Sequence, residues 1–306
     1  MKTWEKISVV LTLLFLVLFA LGCYIYREDI YRFTRDHILK ERDNLVISKN
    51  EYYKDEDFLY VQNTSDFIVK DKQHIKNAIY TILNSGTPSF TFYCDDAYKS
   101  CLTDVDTIAK DQIELSNINN FVHPYNSFAK IDISYTTNGK ITLKITKNYT
   151  DEDIKELNAK VDEVIASEIT DEMTPREKIS TIHNYIINNG KYVSDDLAFT
   201  DVLYNKANGI LLEGTGLCSS YADAMALFLE KFDVKNLKIA SDTHVWNLVL
   251  LDDNWYHLDL TWDDPVVSDG KDYLEVLFLL ITDDRLKELE VEQHEYDEGV
   301  YLELKS

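Results

Sequence analysis

"THVWNLVLLDDNWYHLDLTWDDP", Thr243–Pro265, is the stretch on which the fold turns. Apolar and polar residues alternate on both sides of Asp252-Asp253, and a period of two marks a half-buried strand. Two such strands around an acidic pair predict a hairpin. With Asp252-Asp253 as the turn, Leu251 faces Asn254, Leu248 faces His257, Trp246 faces Asp259 and His244 faces Thr261. His244 and Asp259 are then diagonal neighbours on one face, with Cβ atoms about 7–8 Å apart or less, within reach of an imidazole and a carboxylate. A three-residue turn would throw them onto opposite faces. His257 shares the His244 face and is the rival base. His244 is preferred because it precedes its strand's apolar run, at a sheet end where a helix start can meet it.

Such a helix start lies upstream, in "GTGLCSSYADAMALFLEKF", Gly214–Phe232. Ala222, Met225, Ala226 and Leu229 recur at helical spacing. Gly214 and Gly216 let the chain turn and approach closely ahead of Cys218. The free N–H groups and dipole at a helix N-terminus favour an anion, so a thiol there has more of its nucleophilic thiolate form. A cysteine in that position is more often core than catalytic, and needs a base and an orienter to be a nucleophile. His244 would take the thiol proton or pair with the thiolate, and Asp259 would fix the imidazole tautomer. The Cys218 N–H is the natural first donor of an oxyanion hole; a second has no signature in the sequence.

The compartment bears on the same cysteine. "ISVVLTLLFLVLFALGCYIY", Ile7–Tyr26, carries no charge and is long enough to span a bilayer core. Lys2 and Lys6 precede it, which places the N-terminus in the cytoplasm and the rest of the chain outside. An uncleaved signal anchor is the preferred reading; cleavage after "ALG" and lipidation of Cys23 compete, although Ala20 stands where lipoprotein signals usually carry leucine. All three export the folded part. In an oxidising compartment Cys94 and Cys101, in "YCDDAYKSC", read as a short-loop disulfide. With Cys23 in the membrane segment, Cys218 is the unmatched one of the four cysteines.

The remaining composition narrows the partners. A net charge of -23 and the lack of a dense Lys/Arg cluster exclude a nucleic-acid backbone as partner. The seven histidines show no ligand-like spacing and no CxxC occurs, so neither metal nor cofactor is expected. "AKIDISYTTNGKITLKIT" reads as a second hairpin closed by Asn138-Gly139, and "TPREKISTIHNYIINNG" as a helix with Thr174, Pro175 and Glu177 at its start and His183 in its apolar stripe. The domain reading is a cytoplasmic N-terminus (1–6), a transmembrane signal anchor (7–26), a charged helical stalk (27–50), a small α+β domain (51–150) and a second α+β domain (151–306).

"GTGLCSSYA", "HVWN" and "WYHLDLTWDDP" together resemble the transglutaminase-like superfamily, the papain-related cysteine fold, over roughly Ile154 to Asp284. The resemblance implies a Cys-bearing helix packed on an antiparallel sheet for residues 151–306. It implies Cys218, His244 and Asp259 as a catalytic triad, with Gly216, Tyr221, Trp246 and Asn247 shaping the site. "FLLITDDRLKELEVEQH" is similar to the usual tail of the short bacterial members, a strand and then a short helix. Protein-crosslinking members from animals usually carry tryptophan directly after the nucleophile, where Ser219 stands here; many other relatives are thought to be peptidases or amidases. The expected function is acyl transfer or hydrolysis on protein or peptide amides at the cell surface, by a membrane-anchored thiol enzyme. The alternative is a catalytically silent surface binding or scaffold domain.

Overall fold

A computed structural model of the chain describes residues 3–34, 45–193, 202–264 and 276–305. It divides into two units, Met1–Val46 and Ile47–Ser306. In the first, α1 (Thr3–Ile25) contains the 19-residue stretch Ile7–Ile25, long and apolar enough to cross a membrane, with none of it buried within the protein. A charged helix, α2 (Arg27–Thr34), follows. The helical stalk expected over 27–50 is thus helical at its start. Residues 45–50 are irregular; at their end the Asn50 N–H donates to the Ser85 carbonyl and its side chain pairs with Asn126. Residues 35–44 lie outside the described residues.

The second unit begins with a four-stranded sheet. Its strands are β1 (Ile68–Val69), β2 (Ser89–Cys94), β3 (Phe128–Tyr135) and β4 (Lys140–Lys147), in the order β1-β2-β4-β3. Three helices accompany it: α3 (Lys72–Asn84), α4 (Cys101–Lys110) and α5 (Gln112–Asn119). α3 buries Ile75, Ala78, Ile79, Ile82 and Leu83, the face its periodicity predicts. The β3–β4 hairpin pairs Ile131 with Ile145, Ile133 with Leu143 and Tyr135 with Ile141. Its turn is one residue longer than the expected Asn138-Gly139. Thr136 N–H donates to the Lys140 carbonyl, and Gly139, at φ +82°, closes a three-residue loop in the left-handed conformation. Cys94 and Cys101 are joined in a disulfide, which leaves Cys23 and Cys218 free.

Two capped helices follow. α6 (Asp151–Glu168) starts with a Thr150/Asp153 capping box, and α7 (Pro175–Asn189) with a Thr174/Glu177 box and Pro175 in its first turn. β5 (Lys191–Tyr192) pairs in parallel with β6 (Thr215–Gly216), and α8 (Ala207–Leu212) lies between them in sequence. The elements that carry the candidate site are α9 (Cys218–Lys231) and an antiparallel sheet of β7 (Asn236–Ala240), β8 (Val245–Leu251) and β9 (Asn254–Leu258). One core joins them: Ile182, Ile186, Tyr221, Met225, Phe228, Val249 and Leu258 are buried together. Tyr125 and Tyr149 belong to that same core, so residues 47–306 form one compact unit across the change of sequence pattern near 150.

The strand expected in "FLLIT" is reduced to a single bridge between His257 and Ile281. Leu280 has φ +54°, a conformation that breaks the extended path on one side of Ile281, and α10 (Asp283–Glu288), capped by Thr282, begins on the other. The neighbouring residues 265–275 lie outside those described.

Candidate active site

The geometry of the site follows from one turn. β8 and β9 pair Leu251 with Asn254, Leu248 with His257 and Asn247 with Leu258, so Asp252 and Asp253 alone form the connection. Both have positive φ, +51° and +60°, as a two-residue hairpin of type I′ requires; aspartate is one of the few non-glycine residues that tolerate it. With that register His244, just ahead of β8, and Asp259, just beyond β9, fall on one face. His244 Nε2 lies 2.5 Å from Asp259 Oδ2.

Asp259 is 1% exposed and fully engaged. Its Oδ1 accepts the backbone N–H groups of Thr261 (2.9 Å) and Trp262 (3.3 Å), and its Oδ2 also lies 2.8 Å from His294 Nε2. Burial acts to raise this carboxyl's pKa, but the His244 charge and the two imidazole hydrogen bonds outweigh it and hold the group down at about 2.

Cys218 is the first residue of α9 and is half-buried. Leu217, the residue before the helix, supplies no side-chain cap. Among the described residues the N–H groups of Cys218 and Ser219 meet no acceptor, so the first turn has donors to offer an anion. Gly214 (φ +67°) sets the entry to this turn, and Gly216 comes so close to the helix that a Cβ there would lie 2.5 Å from Ser220 Oγ. The Cys218 side chain is close enough to His244 to favour its charged form, alongside Asp259. With Nε2 on the carboxylate, Nδ1 is the nitrogen left for the sulfur. Burial opposes a charged ring here; the Asp259 carboxylate and the Cys218 side chain together overcome it and raise the His244 pKa to about 9.

Three of the residues expected to shape the site are buried and tie its elements together. Trp246 stacks on His244 at 5.6 Å between ring centroids, and its Nε1–H donates to His257 Nδ1. Asn247 Nδ2 donates to the Ala222 carbonyl, tying β8 to α9. The Tyr221 hydroxyl donates to Asp264 Oδ2 at 2.5 Å, tying α9 to the segment after β9. Ser219 turns to Asn205. His257, the rival base, is 1% exposed and occupied by Trp246 on one side, with Asp283 3.4 Å away on the other. Burial lowers its pKa. His183 is a core histidine, as its place in the apolar stripe implies, bonded to Asp263 and Asn184.

His294 is the site neighbour that the sequence hides. It ends the single turn Glu292–His294, 35 residues from Asp259, and it closes the tail stretch "FLLITDDRLKELEVEQH", whose resemblance gave the histidine no role. His244, Asp259 and His294 each offer a ligand atom, all within 4.8 Å of one another, and could hold a metal ion. As they stand, both imidazole Nε2 atoms are hydrogen-bonded to the carboxylate, so a metal would have to replace two protons.

Residues 163–260 match the model of the transglutaminase-like superfamily. No curated protein matches the chain. Among solved structures, the chain is similar to a crystal structure of a TGase, at 13% identity and a TM-score of 0.34, over 47% of this chain and 48% of that one. It is also similar to a candidate cysteine protease from Cytophaga hutchinsonii, at 13% identity and a TM-score of 0.28, over 43% of this chain and 61% of that one. The chain therefore spans about half the length of the first and about three fifths of the second.

Proposed function

From a transglutaminase-like domain over residues 163–260 as the premise, we propose that the chain is a thiol enzyme that transfers or hydrolyses acyl groups of protein or peptide amides through Cys218, His244 and Asp259. The carrying observation is a single imidazole bonded to a buried carboxylate and set beside a half-exposed thiol at a helix start. The Cys218 sulfur attacks the amide carbon as a thiolate, its proton resting on His244. Charge that develops on the carbonyl oxygen meets the free Cys218 N–H. As the C–N bond breaks, His244 returns its proton to the leaving amine, and the acyl group stays on sulfur as a thioester. Water then gives the acid, or a second amine gives a new amide, and His244 takes the incoming proton. Asp259 keeps the ring oriented and offsets its charge throughout.

α1 supports a membrane-tethered setting. Lys2 and Lys6 ahead of its apolar stretch favour an exported C-terminal part, and a Cys94–Cys101 disulfide suits an oxidising compartment. Surface proteins or peptides are the substrate class in reach of such an enzyme. The test is iodoacetamide labelling of Cys218 against pH, in a Cys23→Ser background. Labelling should persist below the range of a free thiol, whose pKa is about 8.5, and shift upward in His244→Ala. Free-thiol behaviour that His244→Ala leaves unchanged would sink the enzyme reading.

A further inference from the structure

We infer that His294 is a positioning residue of this site, holding Asp259 in register for His244; this rests on the thiol chemistry proposed above for its consequence, and on geometry alone for its premise. Asp259 has two oxygens and four acceptor positions, and four N–H groups fill them: Thr261 and Trp262 on Oδ1, His244 and His294 on Oδ2. A rotation of the carboxylate therefore breaks bonds on both oxygens. Loss of His294 leaves Oδ2 with His244 alone, while Oδ1 stays on the Thr261 and Trp262 N–H groups, so the carboxylate holds the His244 ring with one bond fewer.

The surroundings of His294 show what the histidine is for. It is 4% exposed, stacked on Phe278 at 4.9 Å, edge-on to Trp246 at 4.9 Å and beside Trp262 at 5.3 Å. That is a box for an apolar ring. Its Nε2 bonds Asp259, and its other ring nitrogen, Nδ1, is buried without a hydrogen-bond partner. A buried polar atom left unsatisfied is a cost that phenylalanine would not carry in the same box. The compensating interaction is the 2.8 Å bond to Asp259. Two imidazoles on one carboxylate oxygen make a small buried network, in which each member fixes the next. His294 also lies edge-on to the His244 ring, at 5.4 Å between centroids, a contact that a phenylalanine would keep, so the hydrogen bond to Asp259 is what sets a histidine apart here.

The test uses the full chain in detergent with Cys23→Ser, so that Cys218 is the one free thiol. His294→Phe keeps the ring and removes the donor. His294→Gln keeps an N–H at a comparable reach. In His294→Phe, iodoacetamide labelling of Cys218 near neutral pH should slow by about tenfold, the size of effect that one hydrogen bond to a charged group supports. Its pH profile should move upward, while the thermal midpoint holds or rises. His294→Gln should recover most of the rate. A histidine-labelled sample gives a second readout: the bridging His244–Asp259 proton should resonate far downfield, and lose that position in His294→Phe. A wild-type profile and an unmoved resonance in His294→Phe would overturn the inference, as would a His294→Gln variant no better than His294→Phe. Free-thiol labelling of the wild type, with a resonance that still depends on His294, would remove the enzyme reading and leave the positioning role standing.

Discussion

Asp259→Asn is the perturbation whose effect the structure sizes most directly. His244 is raised from an ordinary 6.5 to about 9 against the pull of burial, with Asp259 the largest opposing cause. At about 1.4 kcal/mol per pKa unit, that rise corresponds to roughly 3 kcal/mol favouring the charged ring in the folded protein. Neutralising Asp259 removes the main support while burial remains, so the ring should titrate at or below its ordinary value. At pH 7.5 the imidazolium is then the minor form instead of the dominant one, a change of roughly 300-fold in the ratio. Asparagine also presents an NH2 where four N–H donors now converge, so at least one donor is left facing another, at a cost of about 1–3 kcal/mol. Two assays read this: histidine proton titration by NMR, and iodoacetamide labelling of Cys218 from pH 5 to 9. The His244 resonance should titrate below 7, and labelling at pH 6 should fall well over tenfold as the thiolate loses its counter-charge. A His244 ring still titrating near 9 in Asp259→Asn would refute the assignment of its charge to Asp259. Unchanged labelling would refute the coupling between the pair and the thiol.

Three further outcomes follow from the same contacts. The His244–Asp259 pair should give stability a definite pH window: the His244 contribution is complete below 6.5 and lost as pH rises through about 9, and the Asp259 contribution is present above 3.8 and lost as pH falls through about 2. Urea midpoints should therefore fall on both sides of a plateau, and His244→Ala should remove the alkaline limb; an alkaline limb that persists there belongs to other groups. Gly216→Ala puts a Cβ 2.5 Å from Ser220 Oγ, whose hydroxyl is engaged by the Lys206 carbonyl and Ile210 N–H, so the variant should lose about 1–3 kcal/mol and slow Cys218 labelling; full stability with full labelling would show that the turn can give way. Tyr221→Phe removes a charge-assisted bond between α9 and the segment after β9 and should cost about 1.5–3 kcal/mol by chemical denaturation, whereas a loss under 0.5 kcal/mol would show that the bond to Asp264 contributes little.

Local rules decided what the sequence made legible. With Asp252-Asp253 as the turn the register of β8 and β9 is set, whereas a three-residue turn would have put His244 and Asp259 on opposite faces. His244 and Asp259 were therefore readable as a pair before any contact was known. The helix start at Cys218 and the capping box at Thr174 are equally local. The Asn138-Gly139 turn was misjudged by one residue, because glycine in the left-handed region serves both two- and three-residue loops; the alternation itself discriminates, since a two-residue turn would set Ile131 and Ile133 opposite Thr146 and Lys144 instead of Ile145 and Leu143.

His294 marks the limit of such reading. Its partner is 35 residues away, its own segment is a single irregular turn, and the Leu280 conformation that redirects the chain toward it has no signature, since leucine does not favour positive φ. A polar residue at the end of an acidic run reads as solvated surface; what buries it is the meeting of Phe278, Trp262 and Trp246 from three separate segments. The first two members of the His–Asp–His cluster are neighbours across one hairpin and follow from its register. The third is placed only by the tertiary fold, which is why the carboxylate's second imidazole was invisible until the aromatic box around it was assembled.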